Sequence, residues 1–142
     1  MRELKTVLLV DDNIHDNYIH THAIRKVTQS LDIRTVTAGD EALDYFHKSI
    51  SDPQSYPYPD MVFLDINMPR MNGFEFVEKG REENVFEKGR PLMVVMLTSS
   101  LNPYDLERAR NLFENDILEF KNKPLTPEMF KEIVDLHFNE KE

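Results

Sequence analysis

The chain of 142 residues contains no cysteine, and no apolar run in it approaches the ~20 residues that a membrane-spanning helix needs. The missing cysteines exclude disulfides, thiolate metal sites and cysteine nucleophiles. The first five residues, MRELK, also lack the apolar core of a signal peptide, so we expect a cytoplasmic protein. Basic residues are the minority, at 17 against 26 acids, and the net charge of −9 disfavours direct binding to nucleic acid or to an anionic membrane.

Five segments that favour strands alternate with five that favour helices. The predicted strands are Thr6–Val10, Ile33–Thr37, Met61–Asp65, Leu92–Leu97 and Ile117–Phe120. The predicted helices are Asn13–Thr28, Gly39–Ile50, Asn72–Glu83, Pro103–Asn115 and Thr126–Asn139. This alternation predicts an α/β fold, with a parallel sheet covered by helices on both faces. We expect a single domain, 1–142, without internal repeats.

Apolar residues at helical spacing predict the buried faces of the first two helices. In the first helix Ile19, Ala23 and Val27 lie four residues apart and form one stripe. In the second helix the predicted buried face comprises Ala42, Leu43, Phe46 and Ile50.

Three carboxylates stand where predicted strands end. Asp11 and Asp12 follow the first strand directly, and Asp65 ends the third. Because the carboxyl ends of parallel strands meet at one edge of a sheet, we expect these acids to lie together. At ~4 Å and an effective dielectric near 20, each like-charge pair is unfavourable by roughly 4 kcal/mol, so the group needs a cation. Carboxylates, water and phosphate oxygens are the ligands of Mg²⁺, which is the expected metal.

The same edge is predicted to carry a hydroxyl and an ammonium group. Thr98 follows the fourth predicted strand, and Lys123 follows the fifth. Both side chains can donate hydrogen bonds to phosphoryl oxygens. Asp65 then fits a nucleophile whose product is an aspartyl phosphate. The protein would contribute positioning and charge neutralisation, which are most of phosphoryl-transfer catalysis.

Four motifs in this order resemble those of the receiver domain of two-component response regulators. The motifs are Val10-Asp11-Asp12-Asn13, Phe63–Gly73 (FLDINMPRMNG), Leu97-Thr98-Ser99 and Lys123-Pro124. Each motif alone is common, but the four in this order are specific, and the resemblance extends over essentially the whole chain. It implies a flavodoxin-like sheet of strand order 2-1-3-4-5 and a stand-alone receiver without an output domain.

The resemblance also implies a metal site and a phosphoacceptor. Asp65 would accept a phosphoryl group from the histidine of a sensor kinase or of a histidine phosphotransfer protein. The ligands of Mg²⁺ would be Asp65, Asp12 directly, Asp11 through water and the backbone carbonyl of Asn67. No further cofactor is expected.

The remaining motif residues would read out the phosphorylation. By resemblance Thr98 and Lys123 hold the phosphoryl oxygens, and Phe120 stands where the family has its switch aromatic. The expected protein is a phosphoacceptor that assists its own phosphorylation and dephosphorylation, and not an enzyme acting on other substrates. Its expected partners are the phosphodonor, a downstream protein target and a second copy of the chain in a homodimer.

Two segments are longer than in a minimal receiver. The segment Ser51–Pro59 contains three prolines together with Tyr56 and Tyr58, and Glu82–Arg90 is long and charged. The first resembles an extended loop in stand-alone receivers that are linked to phytochrome-type kinases. Neither segment includes a motif residue, so the expected chemistry does not depend on them.

Three other interpretations compete with this one. A phosphatase with an aspartyl-phosphate intermediate needs an acid two residues after its nucleophile, where this chain has Asn67, and an amide cannot protonate a leaving group. An adaptor that is never phosphorylated would not need the acceptor, the metal acids, the hydroxyl and the lysine. A histidine metal site at His15, His20 and His22 is disfavoured because His20 and His22 lie on different faces of a helix.

Overall fold

The computed structural model describes residues 3–89, 91–99 and 102–138. The strands are β1 (Thr6–Val10), β2 (Asp32–Val36), β3 (Met61–Asp65), β4 (Met93–Thr98) and β5 (Ile117–Asn122). The helices are α1 (Ile14–Val27), α2 (Gly39–Ser51), α3 (Gly73–Glu82), α4 (Pro103–Leu112) and α5 (Pro127–Phe138). All ten predicted elements are therefore confirmed, and the predicted end of the last helix, Asn139, lies outside the described residues. Among these helices none is both long and apolar enough to cross a membrane.

The five strands form one parallel sheet in the order β2-β1-β3-β4-β5. This order confirms the predicted flavodoxin-like fold. In the register of the sheet, Val10 lies beside Leu64, and Asp65 lies beside Leu97. The chain therefore leaves β1 and β3 at the same level, and the residues that follow Val10 begin next to Asp65.

The sheet separates two apolar cores. Val7 and Leu9 of β1 face the core that is closed by α1 and α5, whereas Leu8 and Val10 face the core beneath α2, α3 and α4. The strands β1, β3 and β4 are buried along their whole length, which explains their continuous apolar runs. Each large apolar side chain buried here contributes roughly 1.5–3 kcal/mol to stability.

The predicted buried stripe of α1 is wrong. Ala23 is buried, but Ile19 and Val27 are 37% and 38% exposed. The buried residues of this helix are Asn17, His20, Ala23 and Ile24. The helix begins at the edge of the sheet where the acids lie, so its inner face there carries polar residues. Apolar spacing alone cannot locate such a face.

The predicted face of α2 is correct except at its last residue. Phe46 is fully buried, with Ala42 and Leu43 beside it, whereas Ile50 is 60% exposed. Ser49 takes the buried position that was expected for Ile50. Ser51, the start of the predicted loop, is the last residue of the helix.

Residues 51–59 and 82–89, which belong to the two long segments, pack against each other at the edge of the sheet where the strands begin. Tyr58 accepts a hydrogen bond from the Glu87 N–H at 3.0 Å through its phenolic oxygen. The rings of Tyr58 and Phe86 both meet the Phe46 ring edge-on, at centroid distances of 5.5 and 5.0 Å. At Gly80 a Cβ would come within 2.5 Å of the Phe86 ring, so a glycine inside α3 makes room for this packing.

Candidate functional site

The three predicted acids meet at the carboxyl end of the sheet. Asp11, Asp12 and Asp65 each present one carboxylate oxygen, and these oxygens lie within 4.8 Å of one another. Asp11 and Asp65 are 2% and 6% exposed, whereas Asp12 faces solvent. The group is therefore open on one side, through Asp12. We call these three acids, together with Lys123, the carboxyl-end site.

Local hydrogen bonds orient the buried acids. The Asn13 N–H donates to Asp11 Oδ1 at 3.0 Å, and the Asn67 N–H donates to Asp65 Oδ1 at 3.3 Å. Asn17 of α1 donates through Nδ2 to the carbonyl oxygens of Asp11 and Val36, at 3.1 and 3.2 Å. The amide thereby joins the ends of β1 and β2 to the first turns of α1 and fixes the backbone that carries Asp11.

Gly73 allows α3 to begin directly against the end of β3. Its N–H donates to the carbonyl oxygen of Ile66 at 2.8 Å. A Cβ at this position would stand 2.8 Å from the backbone oxygen of Asp65, closer than side-chain carbons approach such atoms. The Asn72 side chain caps the helix as the partner of Glu75 in a capping box. The motif residues Asn72 and Gly73 thus help to position Asp65.

Lys123 places its ammonium group among the carboxylates. Its Nζ lies 2.7 Å from Asp11 Oδ2, 3.1 Å from Asp16 Oδ2 and 3.5 Å from Asp65 Oδ1. The backbone N–H of Lys123 donates to the Thr98 carbonyl oxygen at 2.9 Å, which ties the residue to the end of β4. The peptide bond between Lys123 and the following proline is cis.

The electrostatics of the site follow from burial and from the surplus of acids. Burial and the neighbouring Asp11 charge raise the pKa of Asp65 to about 7, although Lys123 and the Asn67 N–H oppose the shift. Burial lowers the pKa of Lys123, but its hydrogen bonds with Asp11 and Asp16 and the charge of Asp65 outweigh this effect and leave the pKa raised. Lys123 therefore carries a proton at neutral pH, and Asp65 is poorly neutralised by it.

Thr98 and Phe120 lie on the neighbouring strands. Thr98 is the last residue of β4, is 1% exposed, and follows Leu97, which pairs with Asp65 in the sheet. Phe120 lies in β5 opposite Met96 and is half-buried against the core beneath α2, α3 and α4. The hydroxyl thus lies on β4, the neighbour of the acceptor strand β3, and the aromatic ring lies one strand further, on β5.

Sequence reasoning missed three residues of α1 beside the site. Asp16 contacts Lys123, Asn17 binds the backbone, and His20 is 2% exposed with its Nε2 lacking a hydrogen-bond partner among the described residues. Burial lowers the pKa of His20 and favours its neutral form. A usable signal was present, because three polar residues at helical spacing directly follow the acidic motif.

The arrangement is suited to a hard cation and an anionic ligand. One ammonium group cannot neutralise three carboxylates, and a divalent cation relieves the remaining repulsion. An all-oxygen donor set of this kind fits Mg²⁺. Among residues 3–89, 91–99 and 102–138, no other group of three metal-ligating side chains converges, and this includes the histidines of α1.

Comparison with known proteins identifies the family. Residues 7–135 match the response regulator receiver domain. The hybrid signal transduction histidine kinase L of Dictyostelium discoideum is 32% identical over 134 residues, which are 92% of this chain and only 7% of that protein. A two-component response regulator from Cytophaga hutchinsonii has a TM-score of 0.80 at 28% identity, with 98% of this chain and 100% of that chain covered. A response regulator in red light signaling of R. palustris has a TM-score of 0.77 at 28% identity, with 98% and 97% covered. The chain belongs to the response regulator receiver domains of two-component systems.

Proposed function

We propose that Asp65 is the phosphoacceptor in a histidine-to-aspartate phosphorelay. The observation that carries this proposal is the convergence of Asp11, Asp12 and Lys123 on the buried Asp65 carboxylate. This group combines a nucleophile, ligands for a cation and a donor for phosphoryl oxygens. The phosphodonor would be a sensor histidine kinase or a histidine phosphotransfer protein.

The proposed transfer is a single displacement at phosphorus. A carboxylate oxygen of Asp65 forms a bond to the phosphorus of phosphohistidine while the P–N bond breaks. The electron pair of that bond goes to the imidazole nitrogen, which is protonated from solvent. Attack of water later releases inorganic phosphate and restores the Asp65 carboxylate. Lys123 and Thr98 hold the phosphoryl oxygens, so the chain assists both steps without acting on a separate substrate.

The metal proposed for this step is Mg²⁺, which Asp12, Asp65 and the Asn67 carbonyl oxygen would hold directly and Asp11 would hold through water. When bound, it supplies positive charge that lets an anionic phosphoryl group approach the acids. Burial, and after it the charge of Asp11, raises the pKa of Asp65 to about 7, and the Asp11 contribution supports the need for a cation beside the acceptor.

The proposed output is a change in the surface formed by α4, β5 and α5. A phosphoryl group adds negative charge and acceptor oxygens beside Thr98, and a shift of this hydroxyl opens space into which Phe120 can turn. The result is a change in population between two packings of the same domain. The altered surface would contact a downstream protein or a second copy of the chain.

Intact-mass analysis after incubation with a low-molecular-weight acyl phosphate tests the acceptor. The wild type is expected to gain one phosphoryl group only when Mg²⁺ is present, and Asp65→Asn is expected to gain none. Asp60→Asn, at the other end of β3, is the matched control and is expected to be labelled like the wild type. Equal labelling of Asp65→Asn contradicts the assignment. An unlabelled wild type favours the adaptor, and turnover of a generic phosphomonoester favours the phosphatase.

Amide exchange with and without beryllofluoride, a phosphoryl mimic, tests the output. Protection of the backbone amides of α4 and β5 is expected to change in the wild type. Thr98→Ala is expected to bind the mimic and to lose much of that change, because the hydroxyl links the two events. An equal response in both proteins contradicts the role of Thr98.

A further inference from the structure

We propose that Asp16 is a positioning residue that holds the Lys123 ammonium group on the α1 side and competes for it with the phosphoryl group on Asp65. This inference rests on the proposed function, because it concerns the same lysine and the same acceptor. It goes further by assigning a regulatory carboxylate outside the four sequence motifs.

The geometry sets Asp16 apart from other acids in the same helical position. Three helices begin with an asparagine cap, at Asn13, Asn72 and Asn102, and each has an acid three residues later. In α3 and α4 that acid turns back to the cap, since Glu75 accepts from the Asn72 N–H and Asp105 accepts from the Asn102 side chain.

In α1 the corresponding carboxylate turns away from its cap. Asp16 Oδ2 instead accepts a hydrogen bond from Lys123 Nζ at 3.1 Å, across 107 residues of sequence. The contact is partly shielded from solvent, because the side chains of Lys123 and Asp16 are 13% and 28% exposed. The role of the Asp16 carboxylate is therefore not limited to the N-terminal cap of α1.

The same ammonium group has to serve four negative partners in turn. In the structure it lies nearest to Asp11 and Asp16, and Asp65 is the most distant of its three carboxylates at 3.5 Å. A phosphoryl group on Asp65 would have to draw the ammonium away from α1. If Mg²⁺ engages Asp11, Asp16 is the carboxylate that still opposes this movement.

Two affinities should change in opposite directions when the charge of Asp16 is removed. In Asp16→Asn the Lys123 ammonium turns fully to Asp11 and Asp65, and Mg²⁺ must then displace this ammonium. The variant also lacks one negative charge near the metal site. Mg²⁺ binding to the free protein is therefore expected to weaken about five-fold. Beryllofluoride binding at saturating Mg²⁺ is expected to tighten about five-fold, because the lysine is released and a repelling charge is absent.

Calorimetric titration of the full chain measures both affinities, first with Mg²⁺ alone and then with beryllofluoride at saturating Mg²⁺. Asp105→Asn is the matched control, since it removes an acid from the same position of a helix that also begins with an asparagine cap, and neither affinity is expected to change. Asp16→Glu keeps the carboxylate and is expected to restore the wild-type values. Loss of a helix cap alone would not produce opposite shifts.

Two outcomes overturn the inference and can be told apart. If the wild type binds beryllofluoride and Asp16→Asn binds both ligands with wild-type affinity, or weakens both, the competition does not exist. If the wild type does not bind beryllofluoride even at saturating Mg²⁺, the proposed function fails, and the role of Asp16 fails with it.

Discussion

The two ends of the sheet use aspartate in opposite ways. At the end where the strands begin, Asp60 precedes β3 and Asp116 precedes β5. At the end where the strands finish, Asp11 follows β1 and Asp65 ends β3. The first pair accepts hydrogen bonds from neighbouring strands and helices, whereas the second pair lies in a group of carboxylates.

At the amino end each acid joins its strand to the next one in the sheet. Asp60 Oδ2 accepts from the N–H groups of Lys5 and Thr6 at the start of β1, both at 2.9 Å. Asp116 Oδ1 accepts from the Leu92 N–H at 2.8 Å, just before β4, and the other oxygen forms an ion pair with Arg81. These charges stabilise the fold, because hydrogen bonds with charged partners contribute roughly 1.5–3 kcal/mol.

At the carboxyl end several carboxylates share one cationic side chain. Lys123 is shared by Asp11, Asp16 and Asp65, and the pKa of Asp65 rises to about 7 through burial and the charge of Asp11. An aspartate held by hydrogen bonds at the end of a strand is therefore not in itself a sign of function. The sign is an aspartate whose charge is left uncompensated by the protein.

The largest expected effect concerns the core near the amino end. Phe46→Ala removes a fully buried ring that packs on Tyr58 and Phe86 and is expected to lower the free energy of unfolding by about 4 kcal/mol. Urea denaturation measures the change. Ile50→Ala, an exposed position in the same helix, is the control and is expected to cost less than about 0.5 kcal/mol. A loss below 1 kcal/mol for Phe46→Ala would show that this end does not hold the fold together.

The second prediction concerns a variant whose free energy of unfolding is expected to rise relative to the wild type, by an amount that depends on pH. Asp65 has an ordinary pKa of 3.8 and a pKa of about 7 in the folded protein, so folding favours its protonated form. That stabilising contribution is complete below about pH 4 and is lost as pH rises to about 7. Asp65→Asn lacks this pH-dependent loss. Without metal, its free energy of unfolding relative to that of the wild type is expected to rise by on the order of 2 kcal/mol between pH 4 and pH 8.

Urea denaturation of both proteins at the two pH values measures that gain. Saturating Mg²⁺ is the control, because it should stabilise the wild type at pH 8 and reduce the advantage of Asp65→Asn. A variant that is less stable than the wild type by the same amount at both pH values would show that Asp65 is compensated like Asp60.

The third and smallest effect comes from the compensated acid. Asp60→Ala leaves the N–H groups of Lys5 and Thr6 without this partner and is expected to destabilise the protein by roughly 1–2 kcal/mol at pH 8. Thermal or urea unfolding beside the exposed control Asp44→Ala measures the difference. Equal stability of the two variants would remove the distinction between the ends of the sheet.

The sequence was sufficient for the fold and for the motif acids, but not for what surrounds them. Continuous apolar runs mark β1 and β3 because those strands are buried on both faces, so Asp11 and Asp65 could be placed at one edge. Asp60 also adjoins an apolar run, but it precedes the run instead of following it. No sequence pattern indicated which N–H groups it would bind. Its partners near β1 come from 54 and 55 residues away.

The inner face of α1 could not be predicted for a related reason. Apolar periodicity assumes a helix that packs only on an apolar core, whereas α1 meets both the core and the carboxyl-end site. Asp16 and His20 therefore lie inward, while Ile19 and Val27 are partly exposed. The contact between Asp16 and Lys123 depends on the positions of two distant elements, and only the assembled sheet brings them together.

Calorimetric titration of Mg²⁺ tests most directly the claim that the carboxyl-end site binds a cation and the amino end does not. The three proteins to compare are the wild type, Asp12→Ala and Asp60→Ala, at pH 8. We expect Asp12→Ala to lose at least about ten-fold in affinity, because it removes a ligand, and Asp60→Ala to keep the wild-type affinity. Equal affinities in all three proteins, or a larger loss in Asp60→Ala, would contradict the account.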